Sequence, residues 1–87
     1  CTIPPIGSMY PPLQNAQREI NHKIRSYVKE TAKTVCADLY RGLSTPEGLL
    51  SRVYDSGDGL HLSIDGYRKV GTVVWDEGIS TILSKLP

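Results

Sequence analysis

The residues best suited to chemistry are grouped in one polar stretch, residues 55–67, with Asp58-Gly59-Leu60-His61 at its centre. A carboxylate three residues before a histidine in a turn can accept a hydrogen bond from the imidazole Nδ1. The second ring nitrogen, Nε2, can then take a proton from a nucleophile. The spacing suits a catalytic acid–base pair of Asp58 and His61, but by itself it favours a solvated histidine, because Asp-Gly is a common turn and a histidine in a loop is usually solvated.

The other polar residues of this stretch are expected to have structural roles. Neither Asp55 nor Asp65 lies three residues before a histidine, so we assign Asp55 to a turn and Asp65 to the first turn of a helix. Ser56 and Ser63 lie outside any Gly-x-Ser-x-Gly elbow, which argues against either serine as a nucleophile. Ser63 is better explained as the N-cap of the helix that follows it.

No spacing of potential ligands favours a metal site. Aligning Asp58-Gly59 with an EF-hand calcium loop places Tyr54 and Ser56 at positions that such loops fill with Asp or Asn. His22 has no second ligand at helical spacing, so we interpret it as a solvated surface residue.

Composition excludes several kinds of partner. Ten Lys and Arg balance nine Asp and Glu to a net charge of +1, and the two signs are interspersed. The five Tyr and one Trp are scattered and Phe is absent, so we expect no nucleic-acid partner. No apolar run is long enough to cross a bilayer. Cys1 and Cys36 have no C-x-x-C spacing and are predicted to be free, buried thiols.

The first half of the sequence predicts two strands joined by a helix. Residues 1–6 and 34–40 are nearly continuous apolar runs, which are typical of strands covered on both faces. Between them, after a proline-rich link at residues 9–12, residues 13–33 have helical periodicity. Its expected buried stripe is Ala16, Ile20, Ile24, Tyr27, Val28 and Ala32. Together these elements predict a βαβ unit with parallel strands and a right-handed crossover.

The second half predicts a loop followed by a long helix. Residues 41–57 are loop-like, with one helical turn expected around residues 47–53. Residues 64–86 form a second amphipathic pattern, in which Gly66, Gly71 and Gly78 each weaken the helix by up to about 1 kcal/mol relative to Ala. Trp75 lies next to the apolar stripe and is expected in core or half-buried packing rather than as a ligand platform. The stripe consists of Tyr67, Val70, Val74, Ile79, Ile82 and Leu86. The Asp58–His61 segment would then lie at the carboxyl edge of a parallel sheet, where ligands bind.

The longer string DGLHLSIDGYRKV, residues 58–70, resembles the last signature block of the GDSL, or SGNH, hydrolases. In that family Asp-x-x-His is followed by a small or hydroxyl residue and then by Gly-Tyr or Gly-His at the start of the C-terminal helix. Thr2-Ile3-Pro4-Pro5 is similar to the family's fourth sheet strand, and residues 35–40 are similar to its fifth. The resemblance therefore covers essentially the whole chain.

The resemblance implies an α/β fold, a three-layer α/β/α flavodoxin-like domain with a parallel sheet, of which residues 1–87 are the C-terminal portion. It implies a serine esterase or acyl hydrolase in which His61 is general base and acid and Asp58 orients it. No metal or organic cofactor is implied. The family's Gly-Asp-Ser nucleophile turn, oxyanion-hole Gly and Gly-x-Asn-Asp block are not in this sequence. We therefore expect them upstream or on a companion chain, and we expect this chain alone to be inactive.

The beginning of the sequence fits that interpretation. Cys1 opens the chain inside a strand-like run and without an initiator Met, so we interpret the chain as a fragment or a processed product. The expected partners are the remaining N-terminal part of the hydrolase and an ester substrate, whether a small molecule, a lipid or an acylated glycan. The alternative hypothesis is a non-catalytic binding or structural fragment of a degenerate hydrolase.

Overall fold

The computed structural model describes residues 1–7 and 11–86. Four helices follow the chain: α1 (Pro11–Glu30), α2 (Leu39–Leu43), α3 (Ile64–Val73) and α4 (Ser80–Ser84). A 3₁₀ turn at Arg52–Tyr54 precedes α3, and a π-helical segment at Val74–Ile79 joins α3 to α4. The expected proline-rich link begins at residues 9 and 10, outside the described residues, and its last two prolines open α1.

The predicted parallel sheet is wrong, and with it the three-layer α/β/α fold of the SGNH type. Among the described residues no strand forms, because residues 1–7 are extended coil and the run at 34–40 passes directly into α2. Only one backbone hydrogen bond, from Thr2 N to Ala37 O at 3.1 Å, joins the two expected strands. A continuous apolar run cannot by itself distinguish a buried strand from other buried structure.

Asp38 is the residue that turns the second expected strand into a helix. Its carboxylate accepts a hydrogen bond from Arg41 N at 3.1 Å and so caps the N-terminus of α2. Arg25 from α1 reaches the same carboxylate with Nη2 and Nε, at 3.0 and 3.1 Å. Thr2 Oγ1 donates to it as well, at 2.9 Å. We call Asp38 with Arg25, Thr2 and Arg41 the Asp38 cluster.

Side-chain amides of α1 make the hydrogen bonds to the N-terminal segment that a neighbouring strand would make in a sheet. Asn21 accepts a hydrogen bond from Ile3 N at 2.6 Å and donates one to Ile3 O at 3.0 Å. Gln17 donates to Pro4 O, and Gln14 donates to Gly7 O at 2.7 Å. Because a buried backbone needs partners, these amides satisfy groups that a sheet would otherwise satisfy.

This arrangement shifts the buried face of α1 toward one side of the expected stripe, of which Ile24 and Val28 remain half-buried. The buried residues of the helix are Gln17 and Asn21, whereas Ile20 and Tyr27 of the expected core stripe are 46% and 67% exposed. The amphipathic pattern therefore predicted the helix correctly and its buried face only in part. An apolar stripe of α1 is left exposed, together with Leu13 of its first turn.

The hydrophobic core lies between α2 and α3. Leu43 is fully buried there, beside Ala37, Leu39, Leu50 and Val73. The expected helix at residues 64–86 is present, with its π-helical segment, through Ser84, and Ser63 caps it by accepting a hydrogen bond from Gly66 N at 3.0 Å. The helical turn expected at residues 47–53 forms later, as the 3₁₀ turn. Core and cap together fix the loop that precedes α3.

Candidate active site

The loop of residues 55–62, called here the Asp–His loop, is closed at its base. Asp55 and Leu62 form an isolated antiparallel bridge, and Ser56 N donates to His61 O at 2.9 Å. One residue further, Ser63 ties the loop to the 3₁₀ turn, because its backbone N donates to Tyr54 O at 2.9 Å and its hydroxyl to Val53 O at 2.8 Å. Both ends of the loop are therefore anchored before α3 begins.

Asp58 and His61 are in direct contact within this loop. His61 Nδ1 lies 2.5 Å from Asp58 Oδ2. The other carboxylate oxygen, Oδ1, accepts hydrogen bonds from Leu60 N at 2.9 Å and His61 N at 2.8 Å. With both oxygens engaged, the carboxylate cannot rotate freely, and the imidazole is oriented through Nδ1. This is the geometry that the Asp-x-x-His spacing predicts.

The pair also changes the proton affinity of both side chains. The hydrogen bond from the His61 ring, followed by those from the His61 and Leu60 amides, holds the pKa of Asp58 well below its usual range. The same ring hydrogen bond, and then the charge of Asp58, raise the pKa of His61 above 6.5. The imidazolium is therefore favoured, as a base that must hold a proton during a reaction requires.

The pair is open to solvent. The side chains of His61 and Asp58 are 71% and 49% exposed. Among the described residues, no hydroxyl or thiol makes a hydrogen bond with His61 Nε2. Ser56 Oγ instead approaches Asp58 Oδ1 at 3.4 Å, and Ser63 is occupied as a helix cap. The described part of the chain thus provides an oriented base and no nucleophile in contact with it.

The remaining sequence candidates have the roles that their spacing suggests. Asp55 accepts hydrogen bonds from Gly57 N and Gly59 N, as a turn residue, and Asp65 pairs with Arg68 at 3.4 Å in the first turn of α3. His22 is exposed on α1. No group of three or more His, Cys, Asp or Glu that could hold a metal ion occurs within residues 1–7 and 11–86.

Two expectations about packing are corrected. Cys1 is exposed and Cys36 is half-buried, so neither is the buried thiol that the sequence suggested, although both are free. Trp75 is 53% exposed on the π-helical segment and does not join the core between α2 and α3.

Two features of the site were missed by sequence reasoning. Gly7 N donates to Gly59 O at 2.7 Å, which joins the N-terminal segment to the tip of the Asp–His loop. An apolar groove of about 390 Å³ lies beside this contact, bordered by α1 and Leu60. The Asp58-Gly59 turn signal marked Gly59, but nothing in the sequence identified Gly7 as its partner.

Comparison with known proteins gives no relative. The amino-acid sequence matches no protein-family model and no curated protein, and no solved structure matches it. Of the helices in the described ranges, none combines the length and apolar character needed to cross a membrane.

Proposed function

We propose that Asp58 and His61 are the acid–base half of a serine-type ester hydrolase. The observation that carries this proposal is the contact of 2.5 Å between His61 Nδ1 and Asp58 Oδ2. This contact orients the imidazole through Nδ1. It leaves Nε2, on a side chain that is 71% exposed, available for proton transfer. The nucleophilic serine and the oxyanion donors are contributed from outside the described residues.

The proposed reaction proceeds by acyl transfer. His61 Nε2 takes the proton of the serine hydroxyl as the serine oxygen attacks the ester carbonyl carbon. The imidazolium, stabilised by the Asp58 carboxylate, gives that proton to the alcohol oxygen as the carbon–oxygen bond breaks. Water then attacks the carbonyl carbon of the acyl-serine as His61 takes its proton. His61 returns that proton to the serine oxygen, and the acid is released. No step requires a metal or an organic cofactor.

Three further observations support the proposal. The residues 58–70 resemble the last block of the GDSL hydrolases in their order. The exposure of His61 leaves room for a nucleophile carried by another polypeptide segment. The groove bordered by Gly59 and Leu60 offers an apolar surface on the Asp–His loop. The parallel sheet of that family has no part in the proposal.

The test is the hydrolysis of p-nitrophenyl butyrate by the protein that joins this sequence to its nucleophile. His61→Ala should lower kcat/KM about 10²–10⁴-fold, since general acid–base catalysis contributes about that much. His22→Ala is the matched control, because His22 is an exposed histidine on α1, and it should leave the rate unchanged. Wild-type turnover by the His61→Ala variant would exclude the proposed role.

A fluorophosphonate probe separates the two halves of the proposal. The 87-residue chain alone should show no labelled serine, because no described hydroxyl is hydrogen-bonded to His61 Nε2. A serine labelled in this chain, and mapped by mass spectrometry, would place the nucleophile within it and contradict the external assignment. A complete protein that neither reacts with the probe nor hydrolyses esters would instead favour the non-catalytic alternative.

A further inference from the structure

The Asp–His loop contains a second carboxylate that organises the backbone around the pair. Asp55 Oδ1 accepts hydrogen bonds from Gly57 N at 2.8 Å and Gly59 N at 3.0 Å. The second of these amides belongs to the peptide group that links Asp58 to Gly59. Asp55, which is half-buried at the closed base of the loop, therefore holds the chain on the carboxyl side of Asp58.

The same residue, Gly59, is held from the other side by the N-terminal segment. Gly59 O accepts the hydrogen bond from Gly7 N at 2.7 Å. The two backbones are so close that a Cβ on Gly7 would lie 3.1 Å from Gly59 Cα. Gly59 has a φ of +76°, a backbone conformation that residues other than glycine rarely adopt. Both backbone polar groups of Gly59 are thus fixed, the N–H by Asp55 and the C=O by Gly7.

The contacts of Asp58 begin where those of Asp55 end. Asp58 Oδ1 accepts from Leu60 N and His61 N, the two amides that follow Gly59. The peptide group between Gly59 and Leu60 is accordingly held by Asp58 through its N–H and by Gly7 through its C=O. The direction in which the Asp58 side chain meets the imidazole depends on the peptide between Gly59 and Leu60. The preceding peptide, between Asp58 and Gly59, is the one that Asp55 holds.

We propose that Asp55 is a positioning residue for the Asp58–His61 pair, acting through its hydrogen bonds to Gly57 N and Gly59 N. Its catalytic meaning rests on the proposed function, whereas its effect on the pair does not. Asp55 touches neither the imidazole nor the Asp58 carboxylate in the structure, so it acts by restricting the loop backbone. Without this acceptor, two amides return to water and the loop gains conformations in which the pair is broken.

The decisive experiment is an NMR titration of the His61 imidazole in the 87-residue chain. A His22→Gln background leaves one histidine signal. In Asp55→Ala the pKa of His61 should lose most of its elevation and move toward the ordinary value of about 6.5. Asp55→Asn keeps the acceptor oxygen without the charge and should retain the elevation. Asp65→Ala, which removes an exposed carboxylate four residues from His61, should also retain it.

Two outcomes of this titration would overturn the proposal. One is an unchanged pKa of His61 in a folded Asp55→Ala variant, which would show that the pair needs no support from Asp55. The other is an equal fall in Asp55→Asn and Asp55→Ala, which would mean that charge, and not the hydrogen bonds, is what Asp55 supplies. Far-UV circular dichroism establishes that each variant is folded.

A second measurement uses the chain with Asp55 intact and cannot fail through misfolding. The amide protons of Gly57 and Gly59 should be protected from exchange with deuterium, because each is hydrogen-bonded to Asp55 Oδ1. Those of Leu60 and His61, which are hydrogen-bonded to Asp58 Oδ1, should be protected as well. Amide protons of Gly57 and Gly59 that exchange as fast as those of an unfolded chain would contradict the proposed contacts directly.

These readouts separate the inference from the proposed function. A protein without esterase activity whose His61 responds to Asp55→Ala would retain the inference and exclude the function. An active esterase whose His61 ignores Asp55→Ala would do the opposite. In an active protein, Asp55→Ala should lower kcat more than it changes KM, and the pH at which kcat/KM rises should fall with the pKa of His61.

Discussion

The Asp38 cluster and the Asp–His loop use the same local contact for different ends. In both, an aspartate accepts a hydrogen bond from the amide three residues ahead, Arg41 N for Asp38 and His61 N for Asp58. In both, a cationic or potentially cationic side chain also forms a hydrogen bond with the carboxylate, Arg25 with Asp38 and His61 with Asp58. The two regions differ in the distance along the sequence at which that partner is found, and in whether its charge can be removed.

The side-chain partners of Asp38 come from far along the sequence and are permanently charged or neutral. Arg25 is 13 residues away and Thr2 is 36 residues away, and the Asp38 side chain is only 17% exposed. Burial opposes ionisation of this carboxyl, but the hydrogen bonds from Arg25, from Arg41 N and from Thr2 outweigh it and lower its pKa. Asp38 therefore joins three parts of the chain, which is a contribution to folding.

The partner of Asp58 is local and titratable. His61 is three residues away, and both side chains are largely open to solvent. Such a pair connects nothing that the backbone does not already connect, so it contributes little to holding the fold together. What it provides is a histidine of defined orientation. The comparison indicates that the Asp38 cluster joins distant parts of the fold, whereas the Asp–His loop presents an exposed and titratable histidine.

The largest expected effect on stability is at Asp38. Asp38→Ala removes a helix cap and leaves Arg25 and Thr2 without their acceptor, so it should lower the free energy of unfolding by about 2–4 kcal/mol. Asp58→Ala should change the free energy of unfolding much less, because the residue is exposed. Urea unfolding followed by circular dichroism compares the two. Equal losses at Asp38 and Asp58 would break the distinction between the regions.

A smaller effect is expected where α3 meets the base of the Asp–His loop. A Cβ on Gly66 would lie 2.6 Å from Tyr54 O, so Gly66→Ala should destabilise the chain by about 1–3 kcal/mol. Gly71→Ala in the same helix meets nothing within 4 Å and should stabilise it by about 0.5–1 kcal/mol. Thermal unfolding of both variants measures the difference. A neutral Gly66→Ala would show that the loop base is not tightly packed.

The smallest expected effect is a difference in pH dependence between the two pairs. The pKa of Asp38 is lowered in the fold, so its contribution is present above about pH 3.8 and is lost as the pH falls through the folded value. Asp58 behaves in the same way. His61, whose pKa is raised, contributes below about pH 6.5 and loses that contribution as the pH rises through its folded value.

Single variants show which side chain causes each loss of stability. The loss as the pH falls is called here the acid limb, and the loss as the pH rises the alkaline limb. His61→Gln should remove a small loss of stability on the alkaline side of pH 6.5 and leave the acid limb largely in place. Asp38→Asn should remove the contribution of Asp38 to the loss of stability at acid pH and leave the alkaline loss in place. Chemical unfolding at a series of pH values distinguishes the two. An alkaline limb that survives His61→Gln would contradict the assignment to this histidine.

Local chemistry was predictable from the sequence. The Asp58–His61 contact, the Ser63 cap and the existence of helices at residues 11–30 and 64–84 all depend on residues three to four positions apart. Interactions over that distance are determined by backbone geometry and side-chain type, which are legible in the sequence. For the same reason the roles of Asp55 in a turn and of Asp65 in the first turn of α3 were also predictable.

The tertiary structure alone decided what the apolar runs became and which way α1 faces. Residues 1–6 and 34–40 have the composition of buried strands, but a strand needs a partner along its whole length, and one hydrogen bond joins them. Asn21 and Gln17 took that role for the N-terminal segment, and these two amides, instead of Ile20 and Tyr27, became the buried residues of α1. Strand pairing and helix orientation depend on contacts between distant residues, so periodicity could not reveal them. The sequence by itself determined the contact between Asp58 and His61 and the turn that Asp55 forms, whereas the fold alone determined the contact between Gly7 and Gly59, because those residues are far apart in the chain.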